Sequence, residues 1–329
     1  MHALFTPEAA FGLLFVFFAI HSILDGYALG LGCLVPLVRE KQEADRLVAH
    51  MAPFWESNEV WLVMAAGFLF AAFPLVYALV ISTFYLPCMA VIGALVLRAT
   101  ALEFSYHDPA RVRCWRALMG VGSLLVVFVA AAALGFVLRG FTFTAPETIS
   151  GDISGALTAQ PLLFGCAGVA FFAWHGILHL RMDAGGGPLS RRAGLVWLLA
   201  LVLGVAAAGV WLLRMPSLLS RPVFWLGGAM SLGGLLASRI LAGNGRWAFR
   251  ASAAAIVGIW IAVATGLFPN ILIAANHPAW TISIGQAVTP ASSLRMVMIA
   301  APILMIVIAC YSCFVQKVVR RPRPAGKRP

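Results

Sequence analysis

Five ionisable residues sit in or at the edges of long apolar runs. They are Asp25 in FFAIHSILDGYALGLGCL, Glu56 and Glu59 in PFWESNEVWLVM, and Arg98 with Glu103 in LVLRATALEF. Such groups are costly at membrane depth, so they face a bundle interior and serve a purpose there. A desolvated carboxylate can load and release protons near neutral pH, whereas one locked beside a cation only sets helix register. Glu56 and Glu59 are one helical turn apart, on one face, beside Trp55 and Asn58. Acidic residues also suit the first turn of a helix because of its dipole. As a pair at a membrane boundary, they suit the mouth of a proton-uptake path. Glu103 lies five residues after Arg98 and hence about 140° round the helix. Arg98 therefore needs a partner from another helix, and Glu59 is the expected one. Asp25 has two readings, a helix–helix hydrogen bond without a role in turnover, or a place on a proton path or near a quinone.

The elements that must position these groups are membrane helices. Of 329 residues, 62% are hydrophobic and 11% charged, far from the balance of a soluble domain. Apolar runs of about 20 residues, enough to cross a hydrocarbon core of about 30 Å, recur along the chain. Nine spans are expected, at 9–36, 55–74, 82–104, 117–139, 159–180, 193–213, 222–241, 251–272 and 294–316. No basic segment precedes the first run and no small-residue cleavage site follows it, so no cleavable signal peptide is expected. Two runs are joined through Pro74–Ser82, which must contain a turn. A turn centred between Ala78 and Leu79 puts Glu59 level with Arg98, because residues at equal depth in an antiparallel pair have a constant sum. The glycines Gly26, Gly30 and Gly32 permit close helix approach around Asp25.

Charge sets the expected orientation. Loops 37–54, 105–116, 181–192 and 242–250, with their helix ends and the C-terminal tail, hold 18 of the 23 Lys and Arg residues. Arg139, Arg214, Arg221 and Arg295 fall on the other side, and Arg98 lies within a span. By the positive-inside rule the C-terminus is cytoplasmic and, with nine spans, the N-terminus is outside. The net charge of +11 then reflects topology and attraction to anionic lipid. Nucleic acid is excluded as a partner, since no soluble domain carries a basic patch. The expected class is an all-α polytopic membrane protein, a single integral membrane domain. Residues 1–53 would form a first extra helix and its loop, 54–180 and 193–316 two four-helix units, and 317–329 a basic tail.

Other residues carry weaker signals. The six cysteines fall mostly within apolar runs and form no disulfide framework, and the CxxC of Cys310–Cys313 lacks a second pair for zinc. His175 and His179 share a helix face, and His21 lies in the first span. A haem held between two histidines is conceivable, but hydrogen-bonded helix histidines are commoner. The segment from Asn270 to Ala291 is too polar to span and too apolar to float freely, so it should fold onto the membrane surface or a partner.

Several motifs together resemble subunit II of the cytochrome bd-type quinol oxidases, over essentially the whole chain. Asp25–Gly32, DGYALGLG, is similar to the family pattern DGFDLGxG. Ala52–Ala78, APFWESNEVWLVMAAGFLFAAFPLVYA, resembles APxWDGNExWLxxxGxxLFAAFPxxYA. Leu95–Ser105, LVLRATALEFS, is similar to LxxRxxAFEFR, and GLFPN (266–270) with PASSLRMVMI (290–299) matches the family's closing runs.

The resemblance implies a bacterial cytoplasmic-membrane complex that oxidises quinol and reduces dioxygen to water. It implies that haems b and d and the quinol-oxidising loop belong to a partner, subunit I, and that this chain binds no haem and stabilises that partner. It leaves open a small single-span third subunit and a quinone bound structurally by this chain. It also implies that Glu56, matching the family's WDGNE acid, contributes to proton uptake, and that Trp61 lies near an apolar oxygen route. Asp25, Asn58, Glu59, Arg98 and Glu103 are the expected supporting polar set. The chain departs from the family at Ala28, where a second acid is lost, at Glu56–Ser57 in place of Asp–Gly, and at Ser105 in place of Arg. Two rival classes remain, a proton-coupled secondary transporter and a haem-carrying electron-transfer protein.

Overall fold

A computed structural model describes residues 5–151, 154–184 and 189–319. Most of the basic tail and the side chains of Trp55, Glu56 and 183–191 lie outside the described residues. In chain order the helices begin with α1 (Pro7–Leu24), α2 (Gly26–Leu34), α3 (Lys41–Met51), α4 (Trp55–Ala72), α5 (Pro74–Thr83) and α6 (Tyr85–His107). They continue with α7 (Val112–Arg139), α8 (Ala159–Ala184), α9 (Leu189–Arg214), α10 (Pro222–Ile240), α11 (Gly245–Leu267), α12 (Ile284–Ala287) and α13 (Ala291–Val319). Among the described residues, eight stretches are long and apolar enough to cross a membrane, the first being Pro7–Leu37, which joins α1 and α2. The expected span at 55–74 is α4, which is shorter. Its 18 residues reach about 27 Å.

The link between α4 and α6 differs from the simple turn expected within Pro74–Ser82. It is a ten-residue helix, α5, set off by non-helical backbone at Phe73 and Phe84. Pro74 explains the first break: it lacks an amide hydrogen and disfavours helical backbone in the residue before it. The centre of α5 nevertheless falls midway in sequence between Glu59 and Arg98, so the equal-depth argument survives the change of shape.

Two short β pairs qualify the all-α expectation. Strands β1 (Phe143–Ala145) and β2 (Thr148–Ile149) pair antiparallel, as do β3 (Asn270–Leu272) and β4 (Ile282–Ser283). The two hairpin regions are tied together. Phe141 N donates to Ile273 O and Ala275 N to Phe141 O, both over 2.8 Å, and the Asn276 amide brackets Phe143 N and O. Gly140, with φ of 94°, allows α7 to end in the left-handed region and hand the chain to this bridge. The stretch 270–291 thus folds onto the loop after α7, and Thr289 N reaches back to Ala72 O at the end of α4.

Helix contacts place the first segment at the centre. α1 packs on α4 and α11, while α2 packs on α7 and α8. Lipid tails are as apolar as leucine, so close backbone approach matters more here than apolar burial. At Gly30 a methyl group would overlap the Phe172 carbonyl oxygen, and at Gly176 it would meet Tyr27 O at 2.8 Å. Helix α13 rests on α4.

α3 belongs to the bundle as well. It buries Glu43, Ala44, Leu47, Val48 and Met51 along one helical stripe and pairs Asp45 with Arg116 of α7.

Candidate functional site

The first membrane segment is interrupted at its carboxylate. Asp25 separates α1 from α2, and the two carbonyls just before it take side chains from other helices. Asn58 Nδ2 of α4 donates to Leu24 O over 2.5 Å, and His175 Nε2 of α8 lies 3.1 Å from Ile23 O. In an unbroken helix those carbonyls would serve the amides of Tyr27 and Ala28. Side chains inserted into the ladder in this way are an identifiable cause of a helix break. α4 and α8 therefore hold Asp25 at a joint between two helical pieces.

Arg98 closes the cluster from α6. Its side chain is 3% exposed, and its Nη1 donates to Glu59 Oε1 over 2.8 Å. Its Nη2 stands 4.0 Å from Asp25 Oδ1, an oxygen that accepts no hydrogen bond among the described residues. A guanidinium fork suits this geometry because its donors point in fixed directions and can address two carboxylates at once. The Arg98–Glu59 partnership expected from equal depth is present, and Asp25 joins it as a third member. That third contact is not legible from spacing, since Asp25 lies in a helix with no pairing constraint to either residue.

A polar chain leads away from this cluster. Asn58 Nδ2 also approaches Tyr27 OH, at 3.3 Å. The Tyr27 ring stacks on His179, with centroids 3.7 Å apart and planes 9° from parallel. His179 Nδ1 lies 2.7 Å from Nε2 of His50, a half-exposed residue near the end of α3. Tyr27 and His50 were not among the expected site residues. His50 sits in a charged, polar loop segment, where nothing in the sequence foretells that α3 docks against α8.

The remaining expected residues divide. Asn58 is buried at the centre of the chain just described. Trp61 is buried in the apolar cluster that includes Phe17 and Phe68, and its Nε1 has no partner among the described residues. Glu56 is the second residue of α4, one turn before Glu59. Glu103 does not join the cluster. Its side chain is 73% exposed and 3.5 Å from His107, because five residues along α6 turn it to the opposite side from Arg98.

Of the histidines weighed as ligands, His175 and His179 are engaged elsewhere, whereas the buried Nδ1 of His21 has no hydrogen-bond partner among the described residues. A carbonyl can only accept, so His175 donates its Nε2–H to Ile23 O, and its Nδ1 meets Ser252 Oγ at 2.7 Å. Neither ring nitrogen is left for iron. His179 spends Nδ1 on His50 and one ring face on Tyr27. Among the described residues, no three His, Cys, Asp or Glu side chains are placed to hold a metal ion, and the six cysteines are unpaired.

These features define a polytopic helical membrane protein with a buried ion cluster inside its bundle. The sequence model for cytochrome bd terminal oxidase subunit II matches residues 6–319. The chain belongs to that family. It is 26% identical to the cytochrome bd ubiquinol oxidase subunit 2 of Bacillus subtilis, over 90% of each chain. It is 25% identical to a probable cytochrome oxidase subunit 2 of Haemophilus influenzae, over 88% of each. A 32% identity to the bd-I ubiquinol oxidase subunit 2 of Escherichia coli K12 covers 61% of this chain and 55% of that one. The fold is similar to a chain in the structure of bd oxidase from Geobacillus thermodenitrificans, with a TM-score of 0.74 and 17% identity, over 96% of this chain and 99% of that one.

Proposed function

We propose that this chain is the haem-free subunit II of a bd-type quinol:oxygen oxidoreductase in a bacterial cytoplasmic membrane. It spans the membrane nine times, with α4 as the short ninth span, the N-terminus outside and the C-terminus in the cytoplasm. The contacts support two four-helix units built from the first four and the next four spans, with α13 as the extra helix. The units meet where α2 packs on α8 and α1 on α11. Haems b and d and the quinol-oxidising loop belong to a partner subunit, which this chain stabilises. The engagement of both His175 nitrogens supports the haem-free reading.

Its part in turnover is to pass protons from the cytoplasm towards the oxygen-reducing haem. The observation that carries this reading is the buried Arg98, held between Glu59 and Asp25. Arg98 fixes the register of α2, α4 and α6. Glu56 at the mouth of α4 is the residue that exchanges protons, and Trp61 lines an apolar route for oxygen. Glu for the family's Asp keeps an ionisable group on a longer arm.

The test is Glu56→Gln in the assembled oxidase, assayed for quinol-driven oxygen consumption. Slow turnover at normal haem content is expected, with Glu56→Asp mild. Full turnover in Glu56→Gln would remove the proton-path role.

A further inference from the structure

We propose that the cleft where α10 begins and α11 ends binds an anionic glycerophospholipid, with Arg221 holding its phosphate and an acyl chain lying along the exposed side of α10. The site shares no residue with the buried ion cluster and does not depend on its chemistry.

The fold fixes the cation in place. Arg221 stands immediately before α10, and its Nη1 donates to Thr265 O over 2.6 Å and to Phe268 O over 2.5 Å, at the end of α11. Basic side chains commonly satisfy the last carbonyls of a helix, and that role accounts for one nitrogen of the guanidinium. Nη2 and Nε make no hydrogen bond among the described residues, and Arg221 has no carboxylate partner there. The N–H donors on these two nitrogens remain, in the rigid fork that suits a phosphate. Membrane orientation does not explain the residue either. Arg221 is among the few basic residues on the side expected to be outside, where positive charge is disfavoured.

Beside the guanidinium lies a cavity of about 360 Å³, with Ser220, Val223, Thr265, Phe268 and Pro269 on its walls. That is within the usual range of small-ligand sites, about 300–1,000 Å³. Arg221 is the one charged residue among those lining it, so an entering anion meets no repulsion.

The depth of the cleft identifies the source of the phosphate. The membrane-spanning stretches Pro222–Gly243 and Gly245–Leu267 begin and stop here, which is the level of lipid headgroups. Trp225 is exposed and donates its Nε1 to Leu219 O over 3.0 Å, as suits an aromatic side chain at the membrane interface. Val223 and Leu226, three residues apart on one face of α10, are exposed towards the hydrocarbon, and Phe268 is exposed across the cleft. A cation at the boundary with an apolar face running inward matches the two-part chemistry of a phospholipid. A free phosphate would use only the first part.

The experiment uses the purified, assembled oxidase and a photoactivatable phosphatidylglycerol whose reactive group lies high on one acyl chain. Labelled peptides are identified by mass spectrometry, with the phosphatidylcholine analogue as the zwitterionic comparison. Phosphatidylglycerol should label peptides covering 219–226 or 265–269 about fivefold more than phosphatidylcholine does. Arg221→Gln should lower that label about fivefold. Val223→Glu leaves the α11 carbonyls their donor but puts a negative charge in the cleft, and it should lose the label equally. Arg214→Gln, an exposed cation outside the cleft, should keep it, and excess inorganic phosphate should not displace it. Should Arg221→Gln fail to assemble, Val223→Glu decides. Equal labelling by the two lipids, or full label in Val223→Glu, would overturn the site. So would an equal loss in Arg214→Gln, which would show surface charge alone, or displacement by inorganic phosphate, which would show a site for a free anion.

Discussion

Replacing Arg98 with methionine removes the cation that Glu59 and Asp25 share. The nearer contact, 2.8 Å to Glu59, is a charge-assisted hydrogen bond. The farther one, 4.0 Å to Asp25, is an attraction of about 4 kcal/mol at an effective dielectric of about 20. Desolvation of each ion costs several kcal/mol, so the intact set stands near balance. Without Arg98 the desolvation remains and the attraction is gone. A broken buried pair costs about 3–5 kcal/mol, with Glu59 relieved somewhat because 21% of its side chain is exposed. Glu59→Leu should cost less, since Arg98 keeps Asp25. The triple variant Arg98→Met, Glu59→Leu, Asp25→Asn should recover much of the loss, because apolar or neutral groups replace the whole set. Membrane complexes unfold irreversibly, so the readout is the rate of thermal inactivation of the purified oxidase, followed by haem release. Wild-type stability in Arg98→Met, or a triple variant no better than the single one, would refute the reasoning.

Three further outcomes are expected. Gly30→Ala should abolish assembled oxidase in membranes, because the added methyl meets the Phe172 carbonyl rather than a movable side chain, while Gly67→Ala, in open space, should be neutral. Asn58→Leu should cost about 1–3 kcal/mol by leaving Leu24 O without its side-chain donor, read as faster thermal inactivation; an unchanged rate would count against Asn58 as the clasp of the helix joint. Activity should be the same with and without dithiothreitol and in Cys310→Ser/Cys313→Ser, since all six thiols are unpaired; loss under reductant would show a disulfide.

The parts legible in the sequence were those set by one-dimensional constraints. Charges within apolar runs marked the cluster, and chain symmetry about Pro74–Thr83 paired Glu59 with Arg98 even though α5 is a helix rather than a turn. Glu103 was placed correctly round the helix from Arg98, yet its exposure requires knowing which side of α6 meets the bundle. What escaped depends on contacts between distant segments. The joint at Asp25 is made by Asn58 and His175, far along the chain, and no local propensity announces it. The docking of α3 depends on Arg116 of α7 and His179 of α8, so His50 looked like an ordinary loop residue.

The most direct measurement is affinity purification of this chain from native membranes, followed by a visible absorption spectrum and a quinol-driven oxygen-consumption assay. The account predicts a co-purifying haem-bearing partner and oxygen reduction by the complex, with the spectrum lost when the chain is stripped from that partner. Recovery of the chain alone, or a haem spectrum that stays with the isolated chain, would contradict it.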